Sequence, residues 1–275
     1  MRNRLLIGTT LALMAGWLLP VLTNVAAQTS APQAAYRAPR TPDGKPNLNG
    51  IWQTMNTANW NIEPHPAGPS PVRELGAAGA VPAGLGVVEG GEIPYLPAAR
   101  KKQQENYANR LKLDPEIKCY LPGVPRATYQ GMPFQIIQST KHIMLIHEFA
   151  GAVRTVYMSD QTEAPADSWM GWSNGRWEGE TLVVDTKGFN DLSWLDRAGN
   201  FHSDALHVVE RFTPRSAETI NYEVTIEDPK VFSRPWKMSM PLYKHVERNA
   251  QILEFRCVEF VEDLLYGHLR KQPAK

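Results

Sequence analysis

The side chains best able to move a proton or hold a metal crowd into one run between Asp191 and Arg211: Asp196, His202, Asp204, His207 and Glu210. Two chemistries suit such a set. A divalent ion would take the two imidazoles and a carboxylate, but His202 and His207 lie five residues apart, which matches no ligand pattern, so no metal is expected. Acid/base catalysis asks for less, because an imidazole oriented by Asp196 or Asp204 exchanges protons near neutral pH unaided. The plain alternative is that these groups only hydrogen-bond their loop to itself.

Alternation of side chains along a strand widens the set. Leu206, Val208, Glu210 and Phe212 share one face, whereas His207, Val209 and Arg211 share the other. In 142–149 the more apolar face holds Ile143, Leu145, His147 and Phe149, which points His147 inward. A carboxylate on an apolar face needs a partner or takes a raised pKa. Glu210 and His147 are therefore candidates for a buried acid/base pair; otherwise Arg211, Arg256 or a backbone donor holds Glu210.

Tryptophan is the second signal. Trp169, Trp172 and Trp194 stand at a turn-rich region where an indole offers a flat apolar face and one donor, suited to a glycoside, a phenolic or a terpenoid. They are the expected ligand-binding residues, unless they simply plug a barrel end. The string Gly171-Trp-Ser-Asn-Gly175 has the spacing of a nucleophile elbow but leads into a strand instead of a helix, so a nucleophilic serine is not the expectation.

These side chains need a scaffold, and from His142 onward the periodicity is two. Strands are expected at 141–149, 152–158, 176–177, 181–185, 206–213, 219–227, 236–242 and 252–258, bounded by Gly, Asn, Asp and Pro. Short strands without intervening helices imply antiparallel pairing. The expected fold is mainly β, an antiparallel lipocalin-like barrel or a curved sandwich. Before it, Pro97 opens one substantial helix over 98–113 that ends at Asp114-Pro115. Residues 63–97 alternate Pro and Gly with small residues and read as a long irregular excursion.

Arg2 and Arg4, an apolar run from Leu5 to Leu22 and Val25-Ala26-Ala27 form a signal peptide over 1–27, the rival being an uncleaved anchor. Residues 28–47 read as a flexible leader and 48–275 as a single β-rich domain, periplasmic or secreted, with no membrane span after cleavage. In an oxidising compartment Cys119 and Cys257, the only cysteines, are expected to form a disulfide instead of two buried thiols. Of 275 residues 43% are hydrophobic and 21% charged, with 29 basic against 28 acidic side chains, so neither disorder nor a nucleic-acid partner fits.

Several strings together carry a resemblance: Pro46-Asn-Leu-Asn-Gly-Ile-Trp52, Cys119-Tyr-Leu-Pro-Gly-Val-Pro-Arg126, Gly175-Arg-Trp-Glu-Gly-Glu-Thr-Leu-Val-Val-Asp-Thr186, the run from His202 to Phe212, and Thr225-Ile-Glu-Asp-Pro229. The chain resembles a large group of secreted bacterial proteins over about residues 46–257. Trp-Glu-Gly before a short strand is also similar to lipocalin-like barrels, an analogy of fold alone. The resemblance implies no particular reaction, but it strengthens 188–211 as the candidate site. The function expected is an exported enzyme with a barrel pocket: a lyase, isomerase, cyclase or hydrolase acting without cofactor on a cyclic or aromatic small molecule. The alternatives are a non-catalytic periplasmic binding protein for an apolar or aromatic ligand, and a haem binder using His147 or His207.

Overall fold

A computed structural model describes residues 36–159, 163–266 and 268, so the expected signal peptide and the first part of the leader lie outside the described residues. Among the described residues nine strands form: β1 (Gly50–Thr54), β2 (Phe134–Gln138), β3 (His142–His147), β4 (Val153–Tyr157), β5 (Trp172–Glu178), β6 (Thr181–Lys187), β7 (His207–Pro214), β8 (Thr219–Glu227) and β9 (Trp236–Lys244). They pair in chain order, and β9 closes onto β1 to complete a barrel. The mainly-β, up-and-down barrel expected from the period-two pattern is thus the fold, and closure leaves no sheet edge unpaired.

One seam departs from the expected antiparallel order. β4 and β5 run parallel, with Val156 opposite Ser173 and Tyr157 opposite Asn174. A ring of nine strands cannot alternate direction all the way round, so one parallel pair is a geometric necessity. The long connection after β4 carries the chain back to make it.

The lumen is the core. On β7 Val208, Glu210 and Phe212 are fully buried, and Ile220, Tyr222, Val224 and Ile226 of β8 and Met238 and Leu242 of β9 match them. Each apolar side chain taken from water there contributes about 1.5–3 kcal/mol. At the end where β2 begins, the 3-10 turn Arg126–Tyr129 is buried at all four residues and caps the ring.

Two strands were not legible as such. β1 and β2 have five residues each and lie outside the long period-two stretch, although Phe134 and Ile136 do alternate inward. The expected strand at 252–258 does not form, because β1 already occupies the open side of β9. That segment is held by the Cys119–Cys257 disulfide, with Cα atoms 5.7 Å apart, and by the Leu253 N–H donating to Glu148 at 3.0 Å. Residues 36–47, expected as flexible leader, fold onto the barrel, where the Ala38 N–H and the Arg40 guanidinium both bond Glu180.

The expected helix appears as α1 (Pro97–Ala108) and a short α2 (Arg110–Leu113), interrupted at Asn109. Asp114 accepts from the Glu116 N–H and starts the 3-10 turn Pro115–Lys118. The buried face of α1 is Ala99, Gln103 and Asn106, spaced to lie on one stripe. Gln103 donates to the Ala198 carbonyl at 2.6 Å and Asn106 to Gly199 at 3.2 Å, so polar bonds dock the helix on the candidate loop. Gly199 has φ +80°, and a Cβ there would stand 2.7 Å from the Tyr107 nitrogen, so only glycine permits this approach. Among the described residues no helix is long and apolar enough to cross a membrane.

Candidate functional site

The five acid/base candidates go to separate places. Asp196 is fully buried and accepts from the backbone N–H groups of Ile62 (2.9 Å), Ala198 (2.9 Å) and Asn200 (3.2 Å) and from the Asn200 amide (2.6 Å). Burial pushes its pKa up to about 7 against the pull of these bonds and of Arg126. Its oxygens staple the loop to residue 62 and leave little capacity for a substrate.

His202 is 2% exposed. The Ser193 hydroxyl lies 2.7 Å from its Nε2, and Nδ1 lies 2.9 Å from the Ser203 carbonyl. A carbonyl only accepts, so Nδ1 carries the proton and Ser193 donates to Nε2. Burial holds the His202 pKa below its usual value, consistent with this neutral form. Gly123, at φ +73°, covers the pair: a Cβ there would lie 2.2 Å from Ser193 Oγ.

Asp204 is exposed and pairs with Lys230 at 2.6 Å. His207 lies on the outer face of β7, with Nε2 3.0 Å from Asp185 and Nδ1 3.4 Å from Glu227, the residue directly opposite on β8. Its orienting carboxylates are therefore neither Asp196 nor Asp204.

Glu210 points into the lumen, as alternation predicts, but its partner is Arg154 of β4. Nη1 donates to Oε1 at 3.0 Å and Nη2 bonds Oε2. The Tyr222 hydroxyl adds a bond to Oε1 at 2.7 Å, while Ser173 and Thr186 accept from the guanidinium at 2.8 and 2.7 Å. The expected pairing of Glu210 with His147 is thus corrected, as are Arg211 and Arg256, which bond Glu178 and Glu254. His147 is buried and stacks on Phe134, and burial together with the Arg154 charge lowers its pKa to about 3. An axial-ligand role fits neither imidazole: His147 is enclosed by the core, and both nitrogens of His207 face carboxylates. Among the described residues no three His, Cys, Asp or Glu side chains gather to hold a metal.

The tryptophans also separate. Trp169 packs on Tyr120 at 5.2 Å, Trp172 stacks on Tyr157 at 4.4 Å, and Trp194 is buried and bridges to Phe201.

A site that the sequence did not reveal lies outside the capped end of the barrel. Arg126, 1% exposed, holds Asp114 through Nη1 (2.9 Å) and Nη2 (3.1 Å), reaches Glu116, and donates from Nε to Asn59 at 3.2 Å. Glu116 also bonds Arg197, whose Nε is 2.8 Å from it. Burial works against the Glu116 charge, but the two guanidiniums prevail and hold its pKa below the usual range. Arg197 in turn lies 4.5 Å over the Trp60 ring, and Arg110 lies 4.1 Å over Tyr107. Between these pairs opens a cavity of about 590 Å³, walled by Trp60, Leu75, Tyr107, Leu111, Ile117 and Arg197. The Trp60 and Tyr107 rings, each with a guanidinium over one face, give this cavity aromatic walls beside the aliphatic ones. No protein-family model matches the chain, and a search of curated proteins finds no match.

Proposed function

We propose that this is an exported protein, periplasmic or secreted, that binds a cyclic or aromatic small molecule in the groove between Trp60, Tyr107 and Arg197 and not in the barrel lumen. The cavity itself carries the reading: it joins apolar walls to two arginine-capped aromatic rings, in the volume range of about 300–1,000 Å³ usual for ligand pockets. The lumen centre is instead occupied by the Arg154–Glu210 pair and its neighbours, each 3% exposed or less. The disulfide and the signal-like first 27 residues support export. The test is native mass spectrometry of protein taken from the periplasm, followed by titration of the released compound. Binding that survives Trp60→Ala with unchanged affinity would place the ligand elsewhere.

A second reading, a hydrolase, rests on Ser193 donating to His202, the geometry of an activated nucleophile and its base. Substrate would have to displace Gly123 to reach it. Labelling of Ser193 by a fluorophosphonate supports this reading, and its absence in folded protein removes it.

A further inference from the structure

At the end of the barrel opposite the Arg126–Tyr129 cap, the segment before β1 crosses the mouth as a strap. It is held at the β5–β6 turn, where Glu180 bonds Arg40 and the Ala38 N–H. It is held again at the end of β2, where the Gln138 carboxamide accepts from the Leu48 N–H and donates to the Pro46 carbonyl at 3.0 Å. Between strap and mouth opens a cavity of about 600 Å³. It lies beside the short parallel seam, because β4 ends at Tyr157 while β5 runs on to Glu178 and contributes Trp177 to the lining.

The lining is polar, with one aromatic wall. Trp177 is half-buried, and its indole N–H, unlike those of Trp172 and Trp236, is not sealed from solvent and has no acceptor among the described residues. The Lys45 ammonium and the Thr140 hydroxyl have no hydrogen bond among the described residues either. Asn49 donates to Asn47 at 2.8 Å, so its amide, like that of Gln138, keeps a second hydrogen to give. The Asp43 carboxylate accepts from the Thr41 hydroxyl and has lone pairs to spare. Charges balance around this set: Lys45 acts on Asp43, and Arg176 already bonds Glu178 at 2.7 Å.

We propose that this cavity binds a neutral saccharide of one or two pyranose rings, with Trp177 as its apolar wall and the strap and β2–β3 turn as partners for its hydroxyls. A hydroxyl both donates and accepts, so it meets the unspent donors and the Asp43 acceptor alike. An apolar ligand would strip water from these groups and return no bond. An anion would find its one unpaired cation, Lys45, offset by Asp43. Indole suits the remaining requirement, since it joins an apolar surface to a single donor. The volume lies within the range of about 300–1,000 Å³ usual for ligand sites. The site is at the other end of the barrel from the groove and does not rest on that reading.

The experiment titrates the oxidised full chain calorimetrically with cellobiose, maltose and diacetylchitobiose, and with glucose against glucose 6-phosphate. At least one disaccharide is expected to bind with a millimolar or lower Kd, and Trp177→Ala should weaken it by about tenfold or more. Because Trp177 also packs against the core, a second variant keeps the test decisive. Thr140→Trp, at an exposed turn position, fills the cavity without touching the core and should abolish binding while the urea midpoint stays that of the parent. Failure of all three disaccharides to bind at millimolar concentration, or binding that persists in folded Thr140→Trp, would overturn the assignment. So would glucose 6-phosphate binding at least about tenfold more tightly than glucose, the mark of an anion site.

Discussion

The Arg154 guanidinium and the Glu210 carboxylate meet in the middle of the barrel, from β4 and β7, strands that do not pair with each other. The contact ties two non-adjacent strands of the ring together across the lumen, where Ser173, Thr186 and Tyr222 complete its hydrogen bonds. A buried ion pair contributes little net stability against apolar replacements, but losing one partner strands a charge. Glu210→Leu is therefore expected to cost about 3–5 kcal/mol in urea unfolding, and Arg154→Met combined with Glu210→Leu should recover most of it. A single variant within about 1 kcal/mol of the parent would show that the pair is solvated or relieved by another group.

Asp196 and His147 give opposite pH dependences that nearly cancel. Asp196 has a folded pKa of about 7 against 3.8 unfolded, so the native state holds an extra proton in between and loses stability as pH rises through that window. His147 has a folded pKa of about 3 against 6.5 unfolded, so the unfolded state holds the extra proton, and stability is lost as pH falls through the same region. Asp196→Asn should make stability rise with pH between about 4 and 6.5, by roughly 1 kcal/mol per pH unit relative to the parent. His147→Phe should tilt it the other way. Chemical denaturation at several pH values measures both slopes, and equal slopes in parent and variants would mean the two side chains titrate alike in the folded and unfolded chain.

The barrel was legible because long strands with one buried face repeat at period two, and β7, β8 and β9 all do so without interruption. The same rule would also have found Arg154, which shares its strand face with Ala152 and Val156, both buried. The parallel seam depends on strand number, and β1 and β2 lie outside the long period-two stretch from which that number is read. The groove was illegible for another reason. Asp114, Arg126 and Arg197 belong to irregular segments, where no period fixes direction, and Trp60 stands far from them in sequence. Ser193 likewise reaches His202 only through a loop that folds back on itself. What composition reveals there is the supply of polar groups, and tertiary packing decides which of them meet.

The disulfide closes a sequence separation of 138 residues, for which the chain-entropy argument gives about 5 kcal/mol. Cys119→Ser is expected to lower the urea midpoint by a large fraction of total stability. It should also free the C-terminal segment around Cys257, so that limited proteolysis cuts between residues 245 and 260 before it cuts the barrel. Simultaneous cleavage of both would mean the segment is held by its other contacts.

His202 and His207 stand five residues apart, yet the structure gives them different consequences. His202 is 2% exposed, and its removal strands the Ser193 hydroxyl and the Ser203 carbonyl in a closed site. His202→Ala should therefore cost about 2–4 kcal/mol, through lost packing and unmet polar groups. His207, on the outer face between Asp185 and Glu227, is screened by water. His207→Ala should change stability by no more than about 1 kcal/mol, and that loss should shrink with added salt. Thermal unfolding of the two variants at low and high salt separates these outcomes. If His202→Ala proves neutral to stability while ligand turnover falls by about a hundredfold, the hydrolase reading gains and the purely structural bond to Ser193 is refuted. If instead stability falls and the folded fraction binds ligand as the parent does, His202 serves to hold the loop.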